Sequence, residues 1–104
     1  MAVSVLMVCL GNICRSPLAE AALRHHADRL RLDVIVDSAG TGDWHVGHPP
    51  DKRAQEVARR LGGIDISGLR ARQVHRDDFH RFDQIIAMDH DNRRTLLSLA
   101  PARG

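Results

Sequence analysis

Hydrophobic positions along the chain fall into three short runs separated by longer stretches with helical spacing. Val3 to Val8 is largely β-branched and aliphatic, which predicts a strand buried on both faces. Val34-Ile35-Val36 predicts a second buried strand, and Gln84 to Met88 a third. After the first run, Ser16-Pro17 reads as a helix start, with Ser16 as the capping hydroxyl and Pro17 in the first turn. Leu18, Ala22, Leu23, Ala27 and Leu30 then recur on one helical face. Asp51 to Leu61 carries Ala54, Val57, Ala58 and Leu61 at i, i+3, i+4 and i+7, with Gly62 as the stop. Val74 to His80 predicts a short helix, and Asp89 to Leu99 a last one with Leu96, Leu97 and Leu99 inward. Gly40 to Pro50 is turn-rich and predicts an exposed loop carrying Trp44, and Gly63 to Gln73 is mostly irregular.

Strand, helix, strand, helix, strand, helix is the order of an α/β protein, a three-layer α/β/α arrangement around a parallel sheet. Ligands of such sheets sit outside the carboxyl ends of the strands. The segments 9–16, 38–48 and around 89 all fall at that end and converge on one site.

Length and composition add limits. The 104 residues make a single domain, 1–104, and 43% hydrophobic with 27% charged residues is the balance of a folded globule. Val3 to Leu10 is too short to cross a bilayer and lacks a basic lead-in, so neither a membrane partner nor a signal peptide is expected and the default compartment is the cytoplasm. A net charge of +2 comes from fourteen arginines and one lysine spread along the chain, with only 3% aromatics to stack on bases, so no nucleic-acid partner is expected. His25-His26 and His45-x-x-His48 have no cysteine or carboxylate at a convincing ligand spacing, so no metal is expected.

Two cysteines in a reducing compartment point to thiol chemistry before a structural disulfide. Cys9 and Arg15 stand six positions apart, a match that so many arginines would produce roughly a quarter of the time by chance. Its setting between a buried strand and a helix start raises its meaning. A tight loop after a strand turns its backbone N–H groups inward as an anion nest, and the helix beyond adds its positive end. Gly11 can adopt positive φ freely, and Asn12 tolerates it better than most residues. Arg15 supplies a planar fork that matches two phosphate oxygens. A thiol at the base of such a nest loses its proton readily, and Ser16 is placed to donate its hydroxyl to that sulfur.

The run Cys9-Leu10-Gly11-Asn12-Ile13-Cys14-Arg15-Ser16-Pro17 resembles the signature loop of the low-molecular-weight protein tyrosine phosphatases. The likeness continues through Asp37-Ser38-Ala39-Gly40-Thr41, Gly42 to Gly47, Ala71-Arg72-Gln73 and Ala87-Met88-Asp89. It implies that Cys9 attacks phosphorus to form a phosphocysteine, that Arg15 binds phosphate, and that Ser16 stabilises the leaving thiolate. Leu10, Gly11, Asn12, Ile13 and Cys14 would line the phosphate, Asn12 and Ser38 would hold the loop in shape, and Trp44 would wall the slot for an aromatic phosphoester. The resemblance implies no cofactor. In similar enzymes isoleucine at the position of Ile13 goes with phosphotyrosine and threonine with phosphoarginine. Cys14 would form a reversible disulfide with Cys9 that shields it from over-oxidation. Arsenate reductases of the same fold relay through cysteines well after the loop, and none follows Cys14.

The sequence also departs from the family pattern. Similar enzymes carry a general acid in an Asp-Pro motif near the C-terminus, and continue through a fourth strand and a closing helix. Neither an Asp-Pro dipeptide nor a tyrosine occurs before Gly104, so a C-terminally incomplete member is expected, with an exposed sheet edge that favours a homodimer. Asp43 and Asp89 lie on the right rim, but loop and helix-cap roles account for them more simply than acid catalysis does. Leu69 replaces a histidine that many relatives bond to the loop asparagine, so a looser Asn12 is expected. Phosphotyrosine or another aryl phosphate is the substrate the resemblance implies, and the alternative is a phosphate-binding remnant with little turnover.

Overall fold

The computed structural model describes residues 2–101. Strand β1 (Val3–Cys9) leads into helix α1 (Arg15–Arg29), followed by β2 (Val34–Gly40), α2 (Lys52–Gly62), the short α3 (Asp78–Arg81), β3 (Gln84–Ala87) and α4 (His90–Leu99). The three strands form one parallel sheet in the order β2-β1-β3. Val5 of β1 lies opposite Val36 and Gln84, and Cys9 opposite Gly40, so the carboxyl ends of β1 and β2 finish side by side.

Alternation along β1 divides the core. Leu6 and Val8 are fully buried on one face, packed with Ala39, Leu96 of α4, Phe79 of α3, Phe82 and Ile85. Full burial of Leu6 and of Val8 contributes about 1.5–3 kcal/mol each by leaving water. The opposite face, with Met7 and Ser38, is covered by α1, and α2 packs on α1 through Ala21, Ala54, Ala58 and Ile66. The α/β/α layering therefore stands as the strand and helix order predicts. Among the described residues no helix is long and apolar enough to cross a membrane.

Several sequence expectations need correction. β1 is central and covered from Val5 to Cys9, but Val3 is exposed at the open end. β2 is an edge strand, and Ile35 faces solvent. The covered face of α1 is built from Ser16, Pro17, Glu20, Ala21 and Ala27, whereas Ala22 and Leu30 are exposed. In α2 the two alanines are buried, but Val57 and Leu61 are not. The helix stops at Gly63, which takes the left-handed conformation (φ 62°) and donates to the Arg59 carbonyl while Ile64 N–H donates to that of Ala58, rather than at Gly62. The short helix begins at Asp78, later than the hydrophobic pattern suggests, because Arg76 and Asp77 form a turn before it. In α4 only Leu96 points inward, one turn beyond the buried Asn92, while Leu97 and Leu99 are exposed.

Candidate active site

The segment after β1 forms a compact loop whose backbone is tied to its neighbours. Thr41 N donates to Cys9 O (2.9 Å), Gly42 N to Leu10 O (2.9 Å), and Asp51 N to Ile13 O (2.7 Å). The 41–50 loop is thus fastened at both ends to the cysteine loop. It carries His45, which lies so close to Gly11 that a β-carbon there would meet the imidazole at 2.9 Å. Trp44 sits in the same loop with its ring over Gly42, two-thirds exposed. The left-handed residue is Asn12 (φ 57°), and Gly11 is needed for space instead of for positive φ.

Ser16 is not the helix cap. Cys14 occupies that position without a side-chain bond, and α1 begins at Arg15, which frees the Ser16 hydroxyl for another partner. Ser16 Oγ, fully buried, lies 3.0 Å from the buried Cys9 Sγ, and Asn12 N–H donates to the same sulfur at 3.3 Å. The neighbours decide which way each proton points. Arg72 N–H donates to Asn12 Oδ1 (2.9 Å), so Asn12 Nδ2 must face Ser16 Oγ and Ser38 Oγ, both at 2.9 Å. Ser38 Oγ in turn donates to the carboxylate of buried Glu20 at 2.6 Å. Ser16 Oγ, already accepting from Asn12, keeps its hydrogen for the sulfur, since Ala39 O is more distant at 3.5 Å. Sulfur therefore sits under two donors, beside the start of α1.

This geometry corrects the expected looseness of Asn12. Leu69 packs against the α1–α2 cluster, and Asn12 uses every polar atom of its side chain without a histidine.

Arg15 is half-exposed at the mouth, where Nη1 bonds Asp89 Oδ2 at 2.7 Å. The hydrogen bond to Asp89 reinforces the charge of Arg15, and the same contact, with the Asn92 N–H, holds the Asp89 carboxyl below the usual carboxylate range. Asp89 is also the cap of α4, accepting from Asn92 N at 2.8 Å. A carboxyl so held stays ionised at neutral pH, a poor state for donating a proton. Asp43 is exposed in the loop. Cys14 is exposed and Cys9 buried, and both thiols are free. Among the described residues no three histidine, cysteine or carboxylate side chains gather as metal ligands.

Sequence reasoning did not single out Glu20, Arg72 and Asp78. Glu20 was hidden because it sits on what reads as the polar side of α1, and only its partners Ser38 and Arg24 (2.7 Å) explain its burial.

A buried thiol in contact with a loop N–H and a serine hydroxyl, at the carboxyl end of a parallel strand and the start of a helix, defines a cysteine-centred loop on an α/β sheet. Residues 4–103 match the family described as low molecular weight phosphotyrosine protein phosphatase, and the chain belongs to that family. It is 52% identical over 100 residues to the low molecular weight protein-tyrosine-phosphatase YfkJ of Bacillus subtilis, covering 94% of this chain and 64% of that protein. The crystal structure of YfkJ superposes with a TM-score of 0.92 at 51% identity, over 96% of this chain and 64% of the other. The low molecular weight phosphotyrosine protein phosphatase of Schizosaccharomyces pombe is 46% identical over 102 residues, again with 95% of this chain but 64% of the relative covered. The chain thus spans less than two thirds of the length of these relatives.

Proposed function

We propose that this chain hydrolyses phosphotyrosine, or other aryl phosphate monoesters, through a phosphocysteine intermediate. The observation that carries the reading is the 3.0 Å contact between Ser16 Oγ and Cys9 Sγ, with Asn12 Nδ2 donating to the same hydroxyl. In the first step the Cys9 thiolate attacks phosphorus, the bond to the aryl oxygen breaks, and the phenolate leaves with the electron pair. In the second, water attacks the phosphocysteine, releasing inorganic phosphate and returning the thiolate, which Ser16 and Asn12 N–H stabilise as a leaving group. Arg15 would turn from Asp89 to hold two phosphate oxygens, the loop backbone from Leu10 to Cys14 would supply the remaining donors, and Ser38 would brace Asn12. Trp44 is suited to flank an aromatic ring. A reducing setting such as the cytoplasm fits two free thiols.

A second reading, phosphate binding with little turnover, is favoured by one observation: the carboxylate at the mouth is paired with Arg15 at 2.7 Å, a contact that lowers its carboxyl and disfavours proton donation. An acid contributes roughly 10²–10⁴-fold when the leaving group needs a proton. The two readings are separated by comparing p-nitrophenyl phosphate, whose phenolate leaves unaided, with a phosphotyrosine peptide. Turnover of both supports the phosphatase, turnover of the nitrophenyl ester alone supports an enzyme lacking its acid, and oxyanion binding with neither supports the second reading.

A further inference from the structure

One charged cluster touches the loop without entering the chemistry above. The Arg72 guanidinium is gripped on two sides, by Asp37 Oδ2 through Nε and Nη2 (3.3 and 3.1 Å), and by Asp78 through Nη1 and Nη2 (3.0 and 3.1 Å). Asp78 is fully buried and also accepts from His75 N at 2.7 Å, so the carboxylate itself cannot drift. Its ionisation follows the same contacts. Burial pushes its carboxyl up, but the hydrogen bonds from Arg72 and His75 outweigh that and hold it below the usual range.

We infer that Arg72 is a positioning residue for the cysteine loop: its side chain, clamped between β2 and α3, holds its own backbone N–H against Asn12 and so sets the direction of the hydrogen bond that reaches Cys9. This inference rests on the phosphatase reading for its kinetic arm.

An asparagine amide is nearly symmetric in shape, and oxygen and nitrogen exchange places by a half-turn of χ2. Ser16 and Ser38 hydroxyls can each donate or accept, so by themselves they tolerate either orientation. Two groups cannot compromise: the Arg72 N–H only donates, and the Glu20 carboxylate beyond Ser38 only accepts. With Asn12 flipped, Nδ2 would face the Arg72 N–H, and Ser16 would turn its hydrogen to Oδ1 and away from sulfur. The segment carrying Arg72 is not in a helix or a strand; its backbone is held by the Gly40–Gln73 bridge and by Gly40 N to Arg72 O (2.8 Å). Ala71 N to His48 O (2.8 Å) and Val74 N to Gly40 O (2.7 Å) fasten the flanking residues, and the double clamp adds the one constraint that comes from the Arg72 side chain.

The test compares the full chain with Arg72→Met, Arg72→Lys and Asp37→Asn. Two readouts are used: steady-state hydrolysis of p-nitrophenyl phosphate, and the rate of iodoacetamide alkylation at neutral pH, followed by mass spectrometry on the Cys9 peptide. Arg72→Met is expected to lower kcat about tenfold with KM within about twofold, and to slow Cys9 alkylation by a similar factor, the scale of one misdirected hydrogen bond. Arg72→Lys, which keeps the charge but not the fork, should recover part of both. Asp37→Asn removes half the clamp at a half-exposed position and should fold even if Arg72→Met does not; about a threefold effect on both readouts is expected. Folded variants with a lower melting temperature but with parental alkylation rate and kcat would reduce Arg72 to a structural role and overturn the inference. Should the parent itself fail to turn over the ester, the phosphatase reading fails, and the alkylation rates still decide the role of Arg72.

Discussion

Ser16 uses its hydroxyl on sulfur where a helix cap would use it on a backbone N–H, and on the proposed reading that exchange is what would separate a nucleophile from a merely buried thiol. Cys9→Ser keeps the shape but not an ionisable nucleophile at neutral pH. It is expected to abolish hydrolysis while vanadate still binds, measured by turnover and by calorimetry; loss of binding as well would mean the loop had collapsed. Cys14→Ser leaves the loop backbone in place but removes the exposed thiol proposed to resolve an oxidised Cys9. Peroxide-treated Cys14→Ser should then recover much less activity on adding thiol than the parent does, and equal recovery would remove Cys14 from the redox proposal. At this scale much of the site was legible: Cys9, Asn12, Ser16 and Ser38, all named from the sequence, share one hydrogen-bonded chain. Arg72 was not, because its contribution runs through a backbone N–H, which every residue other than proline possesses.

At the scale of elements, the strands and helices follow the hydrophobic pattern, but the buried faces of the helices do not always. The inner side of α1 holds Ser16 and Glu20, polar residues whose partners come from β1, β2 and the loop, so a search for leucines finds the wrong stripe. Gly40 shows the opposite, a small residue whose importance is steric. It ends β2 beside Cys9, and a β-carbon there would lie 2.7 Å from Leu10 O, 3.1 Å from Gly11 C and 3.2 Å from Asn12 N, all backbone. Gly40→Ala is therefore expected to cost about 1–3 kcal/mol of stability by overpacking, and to weaken vanadate binding by displacing the loop. Denaturant unfolding and a binding titration check the two halves. Unaltered binding in a folded variant would show that the loop can yield without losing its geometry.

For the whole molecule, the sheet has two edges among the described residues, β2 and β3, with β1 between them. Ile86 on β3 is 39% exposed, and on the other face of that strand, against Ile85 and Ala87, lies a cavity of about 750 Å³ bordered by Phe79, Met88, Leu96 and Leu97. Such an edge is a template for association, and dimerisation of the 104-residue chain at micromolar concentration is the expected outcome of sedimentation; a monomer throughout would show that the edge is protected. Stability should also follow pH through Asp78. Its folded-state carboxyl lies below the ordinary range, so its contribution is in place above the unfolded value near 3.9 and is lost as pH falls through the folded value. Asp78→Asn should flatten that acid limb of thermal melts, and an unchanged limb would assign it to other carboxylates.

The pairing of Arg15 with Asp89 joins the first turn of α1 to the cap of α4 across the mouth. In the language of ion exchange, the cation at the site already carries its counter-ion, supplied by the same chain. On the reading proposed above, a phosphate arriving there would replace one anion with another, and its affinity would be a ratio of two attractions. Asp89→Asn retains an oxygen to cap α4 and relaxes the hold on Arg15. Vanadate should then bind the variant a few-fold more tightly, as expected for release of a half-exposed ion pair; weaker binding would mean that the carboxylate steers Arg15 towards the ligand. Entry of an anion to this site would thus be a competition that the chain conducts against its own carboxylate.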